Sequence, residues 1–180
     1  MISLDALSQV DAQRLFALPN LRELRERGTL CTRVKTVYPT ITYPIHTSML
    51  TGCYPQKHGI FHNQPFQGDT PPQMREWFWE IGQIRVKTLH QAAKEKGLDV
   101  ASVLWPVSGK NPYTRRNFPE VLPLPGENAA LKMLSYGTPL WVLQTELKYG
   151  KQRVSIKQPH LDRYAAILCE QLYLSARRMC

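Results

Sequence analysis

The chain has 180 residues, of which 43% are hydrophobic and 21% are charged. These values are ordinary for one globular domain with a buried core. No apolar run approaches the roughly 18 residues that a membrane-spanning helix needs. The formal net charge of +9 indicates either a basic, solvated surface or attraction of anionic substrates or nucleic acid. The basic residues are dispersed along the chain and form no dense stripe.

The first five residues, Met1 to Asp5, include neither a basic region nor a long apolar region, so they predict no secretory signal. Cytoplasm is therefore the default expectation. The cysteines are scattered and form no CxxC pair, which favours free thiols over a disulfide framework or a zinc ribbon. They are Cys31, Cys53, Cys169 and Cys180.

The first half of the chain predicts strands that alternate with helices. Pro19 interrupts one helical pattern and Gly28 ends it, while Pro44 suits the first turn of another helix that Gly52 ends. The predicted elements are the end of a buried strand at 2–4, a helical segment at 11–27, a strand at 29–37 and a helix at 44–50.

The second half continues this alternation. Val86, Leu89 and Ala93 are predicted to form the buried stripe of a helix that Gly97 closes. Strands alternating with helices predict an α/β fold, with a mostly parallel sheet flanked by helices and sites beyond the carboxyl ends of the strands. The predicted segments are a polar loop at 64–74, a helix at 86–96, a strand at 98–105, an irregular stretch at 111–126, a helical stretch at 129–149 interrupted at Gly137 and Pro139, and a helix at 161–178.

Asp5 and Thr42 stand where such a fold can bind a metal ion or a phosphate. Asp5 follows the first predicted strand, where its carboxylate is suited either to a divalent metal ion or to an ordinary turn. Thr42 precedes the predicted helix start at Pro44, where backbone N–H groups and the helix dipole favour an anion. A threonine hydroxyl needs metal ions to act as a nucleophile. The alternative is that Thr40 or Thr42 only caps the helix.

Asn63 is the third candidate and follows the segment 59–62. Its amide is suited to donating a hydrogen bond to a phosphate oxygen as charge shifts in a transition state. The alternative is a loop asparagine in an ordinary turn. Taken singly, each candidate has a structural explanation, so the case depends on their combination.

The segments around these candidates resemble one family signature. In order and spacing they are similar to nucleotide pyrophosphatases and phosphodiesterases, the type I phosphodiesterase family of the alkaline phosphatase superfamily. The resemblance is strong from Asp5 to Asn63 and weaker to about Tyr113, and Ala6 and Ile45 replace a common glycine and asparagine. The matching segments are SLDA at 3–6, PNLRELRERG at 19–28, PTITYPIH at 39–46, TGCYPQKHGI at 51–60 and ASVLWP at 101–106.

The resemblance implies a metal-dependent hydrolase of phosphodiester or pyrophosphate bonds that acts on a small phosphodiester or nucleotide substrate. It implies two divalent metal ions, expected to be zinc, with Asp5 and Thr42 as ligands of one of them. Thr42 would also be the nucleophile. Asn63 would contact the substrate by donating to a phosphate oxygen. Tyr43 would stack on a nucleobase, although an aromatic residue at this position is equally suited to packing.

By the same resemblance, residues 1–180 correspond to the N-terminal portion of the family's catalytic domain, with an incomplete alkaline-phosphatase-like sheet. His46 and His58 match histidines of the structural shell and not metal ligands. Past residue 110 there is no Asp-x-x-x-His or Asp-His pair, and His160 and Asp162 are predicted to lie at the start of a helix. Because zinc takes about four ligands, we expect this chain alone to bind zinc weakly and turn over slowly.

Two other classes of function stay open at this point. One is a non-catalytic remnant of the same fold that binds anions or a partner. Metal analysis combined with a phosphodiesterase assay separates it from an enzyme. The other is a basic nucleic-acid-binding module, for which the sequence has no recognition motif. Steeply salt-dependent binding to duplex DNA would support it.

Overall fold

The structure is a computed structural model that describes residues 1–155 and 158–177. It divides into two compact units, Met1–Thr36 and Val37–Cys180. Arg178 and Cys180 lie outside the described residues, so the last predicted helical position and one predicted free thiol are not described. In the described part of the chain, no helix is long and apolar enough to cross a membrane.

The first unit is helical. Helix α1 spans Gln9–Leu15, and the Ser8 hydroxyl caps it by accepting the N–H of Asp11 at 3.3 Å. Helix α2 spans Pro19–Arg27 and ends at Gly28. The predicted break at Pro19 is confirmed, because proline fits the first turn of a helix but not its interior.

The prediction of two strands in this part of the chain is wrong. Residues 2–4 and 29–37 form no strand, and Ile2 and Leu4 are exposed instead of buried. A strand is held by backbone hydrogen bonds to a neighbouring strand. Within the described residues, the strands that pair with each other both belong to the second unit, so these two segments have no pairing partner there.

The second unit combines helices with a short parallel sheet. Strands β1 (Ala101–Val103) and β2 (Arg116–Phe118) pair in parallel, with Ser102 opposite Asn117. The predicted α/β class with parallel pairing is therefore confirmed. The helices of this unit are α3 (Thr42–Thr51), α4 (Pro55–His58), α5 (Leu89–Glu95), α6 (Ala129–Tyr136), α7 (Pro139–Tyr149) and α8 (His160–Arg177), with 3-10 turns at Pro72–Met74, Ile81–Gln83 and Gly150–Gln152.

Several boundaries differ from the prediction. Helix α5 begins three residues later than predicted, because the Thr88 hydroxyl caps it by accepting the N–H of Gln91 at 3.2 Å. Leu89 is consequently its first residue and is exposed, while Val86 packs against the core from outside the helix. Strand β1 has three residues and not eight. Strand β2 lies inside the stretch predicted to be irregular.

Two hydrophobic clusters hold the second unit together. One surrounds α3 and includes Tyr43, Leu50, Ile60 and Trp79. The other joins β2, α7 and α8 through four buried side chains, which are Phe118, Val142, Tyr164 and Leu168. The first cluster positions the candidate site, because it fixes the helix on which Thr42 lies.

Candidate functional site

Thr42 is the first residue of α3, two positions earlier than predicted. The preceding residue, Ile41, is extended (φ −128°, ψ 160°) and its apolar side chain makes no capping hydrogen bond. The third helical residue is Pro44, whose fixed φ suits a first turn. At the other end, Gly52 adopts φ 66° and terminates the helix, as predicted. The N-cap residue of this helix is therefore Ile41 and not Thr40 or Thr42.

Asn63 supplies the cap that the local sequence lacks. Its Oδ1 accepts the backbone N–H of Tyr43 at 3.0 Å, and its backbone carbonyl accepts the N–H of Phe78 at 2.9 Å. Because Tyr43 directly follows Thr42, the structure brings Thr42 and Asn63 together at the first turn of α3. Because Oδ1 of Asn63 faces the helix, the Nδ2 group of the same side chain can donate to another acceptor.

The first turn of α3 has fewer unsatisfied backbone N–H groups for an anion than the sequence suggests. A helix N-terminus binds anions through its unsatisfied N–H groups. Here the N–H of Tyr43 is donated to Asn63, and Pro44 has no N–H. The side-chain amide of Asn63 accepts from the backbone with Oδ1, and its Nδ2 is a hydrogen-bond donor at the same end of the helix.

Tyr43 is a core residue in this structure. Its side chain is 1% exposed, and its ring lies edge-on to Trp77 at 5.3 Å and to Trp79 at 6.3 Å between centroids. Burial, with a smaller effect from the Glu120 carboxylate, raises the pKa of the Tyr43 hydroxyl. Of the two interpretations, the structure shows packing, and a nucleobase would reach this ring only if one of the tryptophans moved.

The two histidines of the signature are both buried and bonded within the protein. His46 Nδ1 lies 2.8 Å from the carbonyl oxygen of Thr42, and its ring lies 5.1 Å from that of Trp105. His58 is fully buried, with Nε2 2.9 Å from the Ser48 hydroxyl. Burial lowers the pKa of His58. These contacts agree with a place in the structural shell.

Asp5 belongs to the first unit and lies in an exposed turn. Its Oδ1 accepts the N–H of Ala6 at 3.0 Å. Ala6 has φ 54°, a left-handed conformation that glycine adopts more easily than alanine. This is the position at which the resembling family commonly has glycine.

The described residues do not assemble a metal site. Among residues 1–155 and 158–177, no group of three or more His, Cys, Asp or Glu side chains is placed to bind a metal ion together. His160 and Asp162 occupy the first turn of α8, as predicted. The N–H of Asp162 donates to the Gln158 side chain at 3.2 Å.

One buried group was not predicted from the sequence. Lys132 on α6 is buried, and its ammonium lies 2.6 Å from the Glu127 carboxylate and 3.4 Å from that of Glu76. It also lies 5.4 Å from the centre of the Trp79 ring, and the Trp79 indole N–H donates to Glu76. Glu76 and Lys132 are 56 residues apart, so no local pattern indicates this pair.

Comparison with known proteins agrees with the signature. The chain is 29% identical over 127 residues to ectonucleotide pyrophosphatase/phosphodiesterase family member 3 of Rattus norvegicus, covering 63% of this chain and 14% of that protein. It is 32% identical over 102 residues to family member 1 of Homo sapiens, with coverage of 51% and 10%. It is 37% identical over 70 residues to bis(5'-adenosyl)-triphosphatase enpp4 of Xenopus laevis, with coverage of 39% and 15%.

The chain thus spans a small part of the length of these relatives. No solved structure matches it. The family model described as type I phosphodiesterase / nucleotide pyrophosphatase matches residues 1–166, a region that contains Asp5, Thr42, Tyr43 and Asn63. The chain therefore belongs to the type I phosphodiesterase / nucleotide pyrophosphatase family.

Proposed function

We propose that this chain carries the nucleophile and a phosphate-binding amide of a hydrolase of phosphodiester or pyrophosphate bonds. Thr42 is the nucleophile and Asn63 is the amide. The observation that carries the proposal is the bond between Asn63 Oδ1 and the Tyr43 N–H, which sets both residues at one helix end. Residues 1–180 are then the N-terminal portion of a catalytic domain.

The reaction has two displacement steps. The Thr42 hydroxyl oxygen attacks phosphorus in line, a P–O bond to Thr42 forms, and the bond to the leaving oxygen breaks. The proton of the hydroxyl is lost and the leaving oxygen gains one. Water then attacks the phosphorus, releases the product and restores the hydroxyl. In both steps the Nδ2 of Asn63 donates to a non-bridging oxygen as negative charge grows on it.

Metal dependence is part of the same proposal. Asp5 and Thr42 are the residues that this chain would contribute to a zinc ion, which stabilises an alkoxide at neutral pH when it is bound. The described residues do not form such a site by themselves, so the steps above are written through Thr42 and Asn63 alone. We accordingly expect weak zinc binding and slow turnover for the isolated chain.

The proposed substrates are small nucleotides or other small phosphodiesters. Two of the named relatives are nucleotide pyrophosphatase/phosphodiesterases and one is a bis(5'-adenosyl)-triphosphatase. Their names support a substrate with a phosphodiester or phosphoanhydride bond next to a nucleoside. The formal net charge of +9 is compatible with an anionic substrate of this kind.

Hydrolysis of thymidine 5'-(p-nitrophenyl phosphate) with added zinc tests the proposal. We expect slow release of p-nitrophenol that Thr42→Ala abolishes and that Asn63→Ala lowers by about a hundredfold, the effect of removing one oxyanion donor. Met49→Ala is a matched control, because Met49 is an exposed residue on the same helix. Undiminished hydrolysis by Thr42→Ala refutes the proposal. Neither zinc binding nor hydrolysis in the unaltered chain supports the non-catalytic remnant instead.

A further inference from the structure

We infer that His58 is a positioning residue, which holds Asn63 against the first turn of α3 by bonding to α3 and to the segment that leads to Asn63. The consequence for catalysis rests on the proposed function, because Asn63 orients a phosphate only if the site is used as proposed. The positioning itself is a property of the free chain and is testable without substrate.

Both ring nitrogens of His58 are used. Nδ1 accepts the backbone N–H of Ile60 at 3.1 Å, so in the neutral ring the hydrogen is on Nε2. Nε2 then faces α3 as a donor, where the Ser48 hydroxyl lies 2.9 Å away and the Pro44 carbonyl is a further hydrogen-bond partner of the ring. The ring is completely buried, and an imidazole enclosed in this way fixes the distance between α3 and Ile60.

The turn after His58 makes this arrangement possible. Gly59 has φ 83°, and a Cβ there would lie 2.8 Å from the Arg85 side chain. Glycine therefore allows the chain to reverse so that the N–H of Ile60 faces the ring of the preceding histidine. Ile60 is itself buried in the core around α3, which fixes the start of the next segment.

That segment is short. Asn63 is three residues past Ile60, a span of at most about 11 Å. Helix α3 is consequently bonded to this stretch of chain at two points, through Ser48 and His58 and again through Tyr43 and Asn63. Loss of the first connection frees the start of a segment whose other end makes the second. His58 thus acts on the phosphate donor without touching a substrate.

Amide hydrogen exchange of Tyr43, measured by NMR, tests this role. The Tyr43 N–H is in the first turn, has no acceptor within the helix and is held by Asn63, so its exchange rate reports the Asn63 contact. His58→Gln removes the acceptor for Ile60 and is expected to speed Tyr43 exchange about tenfold. His58→Asn keeps an acceptor near Nδ1 but loses the donor that faces α3, so it is expected to speed Tyr43 exchange as well.

Two further variants complete the test. Asn63→Ala sets the rate expected when the contact is fully lost, and Ser48→Ala leaves the Pro44 carbonyl as a partner of His58 on α3, so it is expected to speed exchange less than the His58 variants do. The amide of Val142, in the other hydrophobic cluster, is the folding control. Unchanged Tyr43 exchange in His58→Gln, or in His58→Asn if His58→Gln is unfolded, would overturn the inference. If exchange responds as expected while Thr42→Ala leaves hydrolysis intact, the positioning holds and the proposed function fails.

Discussion

The side chain of Asn63 accepts the backbone N–H of Tyr43, 20 residues earlier in the chain, at 3.0 Å. The bond gives Asn63 two separable roles. As an acceptor, it caps a helix whose own N-cap residue, Ile41, is apolar. As a donor, it is proposed to bind a phosphate oxygen. A substitution that preserves one role and removes the other tells them apart.

Asn63→Asp is such a substitution. Aspartate still accepts the Tyr43 N–H and its charge suits a helix N-terminus, so we expect a free energy of unfolding within about 0.5 kcal/mol of the unaltered chain. Asn63→Ala should cost about 1 kcal/mol. Both variants lose the donor, so both should bind inorganic phosphate more weakly by calorimetry. Phosphate binding that survives in Asn63→Asp would argue against the donor role.

Tyr43→Phe should leave stability unchanged or raise it by up to about 1 kcal/mol. The Tyr43 hydroxyl is buried and has no hydrogen-bond partner among the described residues, and a buried unsatisfied group is costly to keep. Tyr164→Phe is the matched control, because its hydroxyl donates to Glu146 at 3.0 Å. That variant should lose about 1 kcal/mol. Urea unfolding of the two variants checks the opposite signs, and equal losses would contradict the assignment.

Lys132→Met should destabilise the chain by about 2 kcal/mol, because it leaves two carboxylates without their buried cation. Lys110→Met is the comparison and should cost less than about 1 kcal/mol, since its ion pair with Glu80 is exposed. Chemical denaturation measures both. Similar losses in the free energy of unfolding for the two substitutions would show that burial of Lys132 does not strengthen its ion pairs.

The same ion pair predicts a pH dependence. The pKa of Glu127 lies below its ordinary 4.5. The hydrogen bond from Lys132 is the larger cause, and the hydrogen bond from the Leu124 N–H is the next. A carboxyl whose pKa is lower in the folded state stabilises the fold above its unfolded pKa and loses that contribution as pH falls through the folded pKa. Stability should therefore decline below a pH of about 4.5, and less steeply in Lys132→Met. An unaltered slope in the variant would refute this coupling.

Ala6→Gly should stabilise the first unit by up to about 1 kcal/mol. Ala6 has φ 54°, which costs an L-residue energy and a glycine little. Ala12→Gly is the control of opposite sign, because Ala12 lies inside α1, where glycine costs about 1 kcal/mol. Thermal unfolding of the two variants checks the contrast, and destabilisation by Ala6→Gly would be inconsistent with the left-handed turn.

Local signals in the sequence were sufficient for much of the fold. Pro19, Gly52 and Gly137 mark helix ends through their own backbone preferences, and the structure has helix ends beside each of them. The strands predicted at 2–4 and 29–37 failed because a strand depends on partners elsewhere in the chain, which the residues of the strand do not specify.

In the candidate site too, local sequence signals were predictive and contacts between distant residues were not. The signature located Thr42 and Asn63, but not the bond from the Tyr43 N–H to Asn63, because residues 20 apart in sequence share no periodicity. The sequence is compatible with Tyr43 either stacking on a nucleobase or packing in the protein. The positions of Trp77 and Trp79 in the structure show that it packs. The roles of Asp5, Thr42 and Asn63 in catalysis stay predictions.

Covalent trapping is a direct test of Thr42 as the nucleophile. The chain is incubated with thymidine 5'-(p-nitrophenyl phosphate) and zinc, quenched in acid, and the tryptic peptide 36–57 is sequenced by mass spectrometry. We expect a thymidylyl group on Thr42, at lower yield in Asn63→Ala. A thymidylyl group on Thr40 or Thr47 of the same peptide, or a peptide that stays unmodified throughout, would contradict it.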